Sequence, residues 1–148
     1  MKIGDKDYNQ VWDKFCGKFK FKPSVDKAVK PFEINTAFAV YDISALDDIE
    51  GFDKLMTEML CELTDKDERI YALDWQHDSY LYRPHNTDST RINYYPDGDY
   101  AFFLNANMES GYLAHPWQMK VWVFGKKWLE EFEKNEGKLS SLGIVKEA

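Results

Sequence analysis

The sequence has no long apolar run, no paired-cysteine pattern and no excess of basic residues, and each absence excludes a class of protein. No segment approaches the roughly 20 apolar residues that cross a bilayer, and the first residues lack the apolar stretch of a secretory signal. Cys16 and Cys61 form neither a CxxC pair nor a disulfide framework. We therefore expect a cytosolic protein with two buried thiols and no membrane contact.

The charge balance argues against nucleic-acid binding, because neutralising phosphates requires a surface rich in Lys and Arg. The 148 residues carry a formal net charge of -7. The acidic excess lies in the middle of the chain, where residues 42–109 contain sixteen acidic and five basic residues. If these charges share one surface, they would steer a basic protein partner toward it.

Familiar catalytic motifs are also missing from the sequence. No serine lies in a GxSxG turn, neither cysteine has a neighbouring histidine, and there is no glycine-rich phosphate loop. The three histidines His77, His85 and His115 match no metal-binding spacing, so a metal site would have to be assembled from distant loops. We expect no metal and no cofactor, with His77 and His115 as partly buried rings in an aromatic cluster.

The hydrophobic pattern predicts one α+β domain spanning residues 1–148. Helical spacing predicts three helices, at residues 8–19, within 46–63, and from 126 to about 135, where Gly137 suits the C-cap. Short runs rich in aromatic and β-branched residues predict strands at residues 37–43, 70–77, 80–82, 92–95, 100–104, 112–114 and 119–124. We expect a largely antiparallel sheet of about five or six strands, with helices packed on one face.

Three short signatures concentrate polar and aromatic residues in the second half of the chain. They are YALDWQH at 71–77, YPDGDY at 95–100 and HPW at 115–117, within a region that holds thirteen of the 24 aromatic residues. Aromatic residues edged by carboxylates are typical of binding surfaces. The candidate binding residues are Asp74, Trp75, His77, Tyr95, Asp97, Asp99, His115 and Trp117.

The side chains of Asp74 and His77 point to opposite faces if their strand is regular, because strand residues alternate. A bulge would reverse that conclusion. Asp97 and Asp99 allow two interpretations: either carboxylate could serve as a general acid or base, or each could bond the backbone of its own turn. We predict the turn role more strongly for Asp97 than for Asp99.

The three signatures, in this order and followed by VWVFGKKWLEEF at 121–132, resemble a bacterial family catalogued as domain of unknown function 2716. The resemblance runs from about Trp12 to Phe132 and carries over no reaction, substrate or cofactor. It implies that Gly98 and Pro116 belong to the family pattern together with seven of the candidate residues, Tyr95 being the exception. The small acidic layout also looks like the bacterial immunity proteins that neutralise toxins, which is an architectural analogy.

Two hypotheses follow from the sequence. The first is a non-catalytic cytosolic binding protein, an immunity-type inhibitor that presents an acidic, aromatic-edged surface to a basic toxin. The second is an enzyme or small-ligand-binding protein with a His/Asp/Trp pocket built from residues 74–117, in which a histidine acts as general base. Convergence of His77 and His115 on an open concavity would favour the second hypothesis. The sequence does not predict an oligomeric state.

Overall fold

The computed structural model of the protein describes residues 2–24, 30–86 and 93–147. Four helices and seven strands make up the described chain, and none of those helices is long and apolar enough to cross a membrane. The helices are α1 (Asp5–Phe19), α2 (Ile49–Leu63), α3 (Lys126–Lys134) and α4 (Glu136–Ser141). The strands are β1 (Phe38–Asp42), β2 (Ile70–Asp74), β3 (Tyr80–Tyr82), β4 (Ala101–Leu104), β5 (Gly111–His115), β6 (Lys120–Phe124) and β7 (Val145–Lys146).

The seven strands form one sheet in the order β3-β2-β4-β5-β6-β1-β7, and every neighbouring pair is antiparallel. The predicted α+β class with a largely antiparallel sheet is therefore confirmed. The sheet is wider than the expected five or six strands because residues 145–146 near the C-terminus add a short edge strand beside β1. Of the strand predicted at 92–95, residues 93–95 lie in a loop and residue 92 lies outside the described residues.

The helices cover both faces of the sheet, so the prediction of helices on one face is wrong. Strand β4 shows why: all four of its residues are buried, with Ala101 and Phe103 on one face and Phe102 and Leu104 on the other. Helices α2 and α3 pack on the first face, whereas α1 packs on the second through Phe15, whose ring stacks on Phe102 at 4.5 Å. A strand that is apolar on both sides needs a covering layer on both sides.

Two smaller predictions are also wrong. Cys16 is exposed and Cys61 is half-buried, so neither is a fully buried thiol. Gly137 does not cap the helix that begins at Lys126, since that helix ends at Lys134 and Gly137 lies inside the following helix α4. Apolar neighbours in sequence do not determine whether a cysteine faces the core or the solvent, and a glycine does not by itself determine where a helix ends.

The pairing of β2 with β4 places two loops side by side. Asp74, the last residue of β2, is opposite Ala101, the first residue of β4. The loop that leaves β2 (residues 75–79) and the loop that enters β4 (residues 93–100) therefore meet at the same end of the sheet. These two loops contain most of the YALDWQH and YPDGDY signatures, so the fold brings those signatures together.

Candidate functional site

Asp74 and His77 face each other because β2 ends at Asp74 and the chain bends over the next three residues. The Asp74 Oδ1 atom accepts hydrogen bonds from the backbone N–H groups of Gln76 at 3.1 Å and His77 at 3.2 Å. This side-chain-to-backbone turn folds the His77 ring back, leaving its Nδ1 atom 3.0 Å from Asp74 Oδ1. The alternation of a regular strand stops where the strand stops, so these side chains converge without a bulge.

Asp99 completes the cluster from the neighbouring loop. Its Oδ2 atom lies 3.2 Å from His77 Nδ1 and accepts the backbone N–H of Gln76 at 3.1 Å. Its Oδ1 atom accepts the backbone N–H of Tyr100 at 2.8 Å. The Asp99 side chain is only 10% exposed, whereas the His77 side chain is 69% exposed. We call Asp74, His77 and Asp99 the Asp/His cluster; its carboxylates are held by backbone donors and its imidazole faces solvent.

The two carboxylates of the Asp/His cluster are close enough to perturb protonation. Burial, followed by the hydrogen bond and the charge of Asp74, raises the pKa of Asp99 to about 6. The hydrogen bond and charge of Asp74, with a smaller effect of Asp99, raise the pKa of His77. The cluster can therefore hold or release protons under mildly acidic conditions, which is a property of both acid/base sites and cation-binding sites.

The Asp/His cluster forms one wall of an open cavity of about 340 Å³. Its lining is Asp74, His77, Asp78, Tyr80, Asn93, Tyr95, Pro96, Asp97, Asp99, Tyr100 and Ala101. A second cavity of about 460 Å³ is lined by Ile49, Glu50, Phe52, Asp53, Asn93, Tyr94, Tyr95 and Asp97. The two cavities share Asn93, Tyr95 and Asp97 in their linings and are therefore adjacent, and we call them together the acidic cleft.

The acidic cleft is lined by six carboxylates and by tyrosines, and its described lining contains neither Lys nor Arg. A basic side chain does lie nearby, since Lys2 Nζ is 3.4 Å from Asp78 Oδ1. The charge concentrated here is far greater than the net charge of the protein spread evenly over its surface would give. The cleft therefore favours a positively charged group, and the tyrosine rings add faces on which such a group can rest.

Five of the eight sequence-predicted candidates line the acidic cleft, namely Asp74, His77, Tyr95, Asp97 and Asp99. The other three lie elsewhere. Trp75 is 38% exposed and packs edge-on against Phe21 and Tyr100, on the side of the sheet that carries α1. Trp117 is 36% exposed and lines neither cavity of the cleft. The single pocket that was predicted to contain all these residues is therefore not assembled.

His115 is fully buried at the end of β5, with its ring centroid 5.1 Å from that of Tyr100 and 6.2 Å from that of Trp122. Its Nδ1 atom accepts the backbone N–H groups of Trp117 and Gln118, each at 3.2 Å. Burial lowers the pKa of His115 to about 4. His115 is thus a neutral histidine that fixes the HPW turn, and it does not join His77 at an open concavity.

Sequence reasoning missed several residues of the cleft. Glu50 and Asp53 come from the first turns of α2, and Tyr80 comes from β3. Tyr8, on α1, lines neither cavity but lies close enough to feel their carboxylates: its pKa is raised first by burial and then by the charges of Asp74, Asp78 and Asp99. The packing of α1 and α2 around the sheet, which no local pattern shows, brings these residues to the signatures.

The protein is of the α+β class, with one antiparallel sheet, helices on both faces of that sheet and an acidic cleft at one end of it. The chain belongs to the family described as protein of unknown function DUF2716, whose sequence profile matches residues 2–129. It is similar to the uncharacterized protein YxiI of Bacillus subtilis (strain 168), with 29% identity over 144 residues, covering 84% of this chain and 86% of that protein. No solved structure matches. The predicted family membership is confirmed.

Proposed function

We propose that this protein is a non-catalytic cytosolic binding protein whose acidic cleft binds a basic surface of a protein partner. An immunity-type inhibitor that covers the basic surface of a toxin is the form of this function that we favour. The observation that carries the proposal is the lining of the cleft, where six carboxylates meet without a Lys or Arg among the described lining residues.

The distribution of charge supports a partner of opposite sign. Carboxylates from α2 and from the two loops beside β2 and β4 line the same cleft, so charges far apart in sequence act on one approaching group. A concave surface with one sign of charge and low-dielectric walls concentrates its electric field, which accelerates association with a basic partner. Tyr80 and Tyr95 are half-buried at this surface, so part of each side chain is open to a partner. Tyrosine is among the residues that contribute most to binding in protein interfaces.

An arginine-rich peptide labelled with a fluorophore can test the proposal by fluorescence anisotropy. The double charge reversal Glu50→Lys with Asp97→Lys places lysines on two exposed positions of the cleft. We expect the peptide to bind the double variant at least about tenfold more weakly than the unaltered protein. We also expect binding to weaken as salt rises, because screening shortens the reach of exposed charges to about 10 Å at 0.1 M.

The matched control is the double reversal Glu130→Lys with Glu133→Lys, which changes the net charge equally at exposed positions on α3. This control should bind the peptide nearly as well as the unaltered protein, and circular dichroism should show that both double variants fold. Equal weakening by the two double variants would mean that net charge alone attracts the peptide, and the proposal would then be wrong.

A small-ligand-binding protein or enzyme is the second candidate, and the convergence of Asp74, His77 and Asp99 on one open cavity favours it. In this alternative His77 acts as general base, because Asp74 and Asp99 orient its ring and raise its pKa. A small molecule that binds the cavity, is lost in His77→Ala and persists in the Glu50/Asp97 double reversal would favour this candidate over protein binding.

A further inference from the structure

We propose that Asp74, His77 and Asp99 form a binding site for a divalent first-row transition-metal ion such as Zn²⁺. The three side chains offer one imidazole nitrogen and two carboxylate oxygens, and these ligand atoms all lie within 4.8 Å of one another. The inference goes beyond the proposed function, because a metal ion in this cluster would be bound whether or not a partner protein is present.

The spacing of the ligand atoms matches a metal coordination sphere. His77 Nδ1 lies 3.0 Å from Asp74 Oδ1 and 3.2 Å from Asp99 Oδ2. Adjacent ligands with metal bonds of about 2.1 Å lie about 3.0 Å apart in an octahedron and about 3.4 Å apart in a tetrahedron. An ion can therefore bind all three atoms with small side-chain rotations, and His77 Nδ1 must be unprotonated to bind it.

The nature of the donors favours a transition metal over Mg²⁺ or Ca²⁺. Imidazole nitrogen suits Zn²⁺, Fe²⁺ and Ni²⁺, whereas Mg²⁺ and Ca²⁺ prefer sets made only of oxygen. The two carboxylates supply the negative charge that a dication requires, and Asp99 supplies it from a position that is 90% shielded from solvent. Two carboxylates so close together repel each other, and a dication between them removes that repulsion.

Hydrogen bonds hold the carboxylates of the Asp/His cluster in place, and the cluster is open to solvent, as a metal site requires. The backbone N–H of Gln76 bonds to both carboxylates, and the N–H of Tyr100 bonds to Asp99, so the ligands are oriented before an ion arrives. On its solvent side the cluster faces the cavity of about 340 Å³, which leaves room for waters to complete the coordination shell. A site with three protein ligands and open positions follows from this geometry.

Isothermal titration calorimetry with ZnCl₂, and separately with MgCl₂, tests the inference on the 148-residue chain. We expect saturable binding of one Zn²⁺ per chain and much weaker binding of Mg²⁺. His77→Ala removes the nitrogen ligand from a side chain that is 69% exposed, so the variant should fold normally and bind Zn²⁺ at least about tenfold more weakly. Asp97→Asn is the matched control, because it lines the same cavity outside the cluster and should preserve Zn²⁺ affinity.

A second readout uses Co²⁺, a coloured ion, in place of Zn²⁺. The visible absorption band of Co²⁺ should shift when the ion binds the protein, and this shift should be absent in His77→Ala. No saturable Zn²⁺ binding below about 1 mM, the weak end of protein metal affinities, would overturn the inference. Equal affinity for Mg²⁺ that is unchanged in His77→Ala would also overturn it, since it would indicate diffuse attraction to the acidic cleft. Peptide binding in the presence of EDTA is measured separately, so either proposal can fail alone.

Discussion

We predict that the buried, neutral His115 makes the free energy of unfolding sensitive to acid. A single substitution of His115 should remove this contribution. The Nδ1 atom of His115 accepts two backbone N–H groups, and its Nε2 atom is buried without a hydrogen-bond partner among the described residues. A proton added to Nδ1 would face both donors and break both bonds, and the resulting charge would be buried. His115→Asn keeps an acceptor oxygen that can bond to the same two N–H groups but removes the titrating ring.

The magnitude follows from the pKa of His115, which burial lowers to about 4 in the folded protein, against about 6.5 in an unfolded chain. Between these values the unfolded state binds more protons, so this contribution is complete above about pH 6.5 and is lost as pH falls toward 4. The loss is about 2 kcal/mol at pH 5 and about 3 kcal/mol at pH 4. Asp99, with a pKa raised to about 6, has the opposite sign: its contribution falls as pH rises from about 4 to 6.

Urea unfolding of the unaltered protein and of His115→Asn at about pH 7 and about pH 5 isolates the histidine, because the Asp99 effect is common to both proteins. The variant should be less stable at about pH 7, by about 1–3 kcal/mol, since the smaller side chain leaves a cavity. The difference in free energy of unfolding between the unaltered protein and the variant should shrink by about 2 kcal/mol at about pH 5. An unchanged difference would refute the reasoning, and the same substitution at the exposed His85 is the control.

Two further substitutions test the packing behind the site by urea unfolding. Phe15→Ala should lower the free energy of unfolding by about 3–5 kcal/mol, because Phe15 is fully buried and stacks on Phe102. A loss below about 1 kcal/mol would mean that α1 does not cover this face of the sheet. Ser79→Ala should cost about 1–3 kcal/mol by leaving two donors unpaired, since its Oγ atom accepts Trp12 Nε1–H at 3.3 Å and the Asp74 N–H at 3.2 Å; a neutral effect would contradict these bonds.

Local patterns predicted the elements of the fold better than the layers. Local patterns located α1, α2, α3 and six of the seven described strands within a few residues, since these signals depend on local sequence. The side of the sheet on which α1 packs depends on strand register and on contacts between residues far apart in sequence. One local clue was the run of four apolar residues in β4, which indicates burial on both faces.

The candidate site was partly predictable for the same reason. The YALDWQH and YPDGDY signatures contain Asp74, His77 and Asp99, which meet in space because β2 and β4 are paired and bring their loops together, whereas Trp75 lies outside the cleft. The end of β2 decided where Asp74 and His77 point, and a period-two pattern does not show where a strand stops. His115 is separated from the cleft because it lies on the strand face with Leu113, toward α1, and that register could not be inferred from the HPW signature.

Amide chemical-shift mapping with the arginine-rich peptide shows whether the acidic cleft binds a basic partner, since it locates the contact on the protein. We predict saturable shifts at backbone amides that line or border the acidic cleft, including those of Gln76, His77, Gly98 and Tyr100, with little change along α3 and α4. Shifts confined to α3 and α4, or spread evenly over every acidic surface, would contradict a cleft that binds a basic partner.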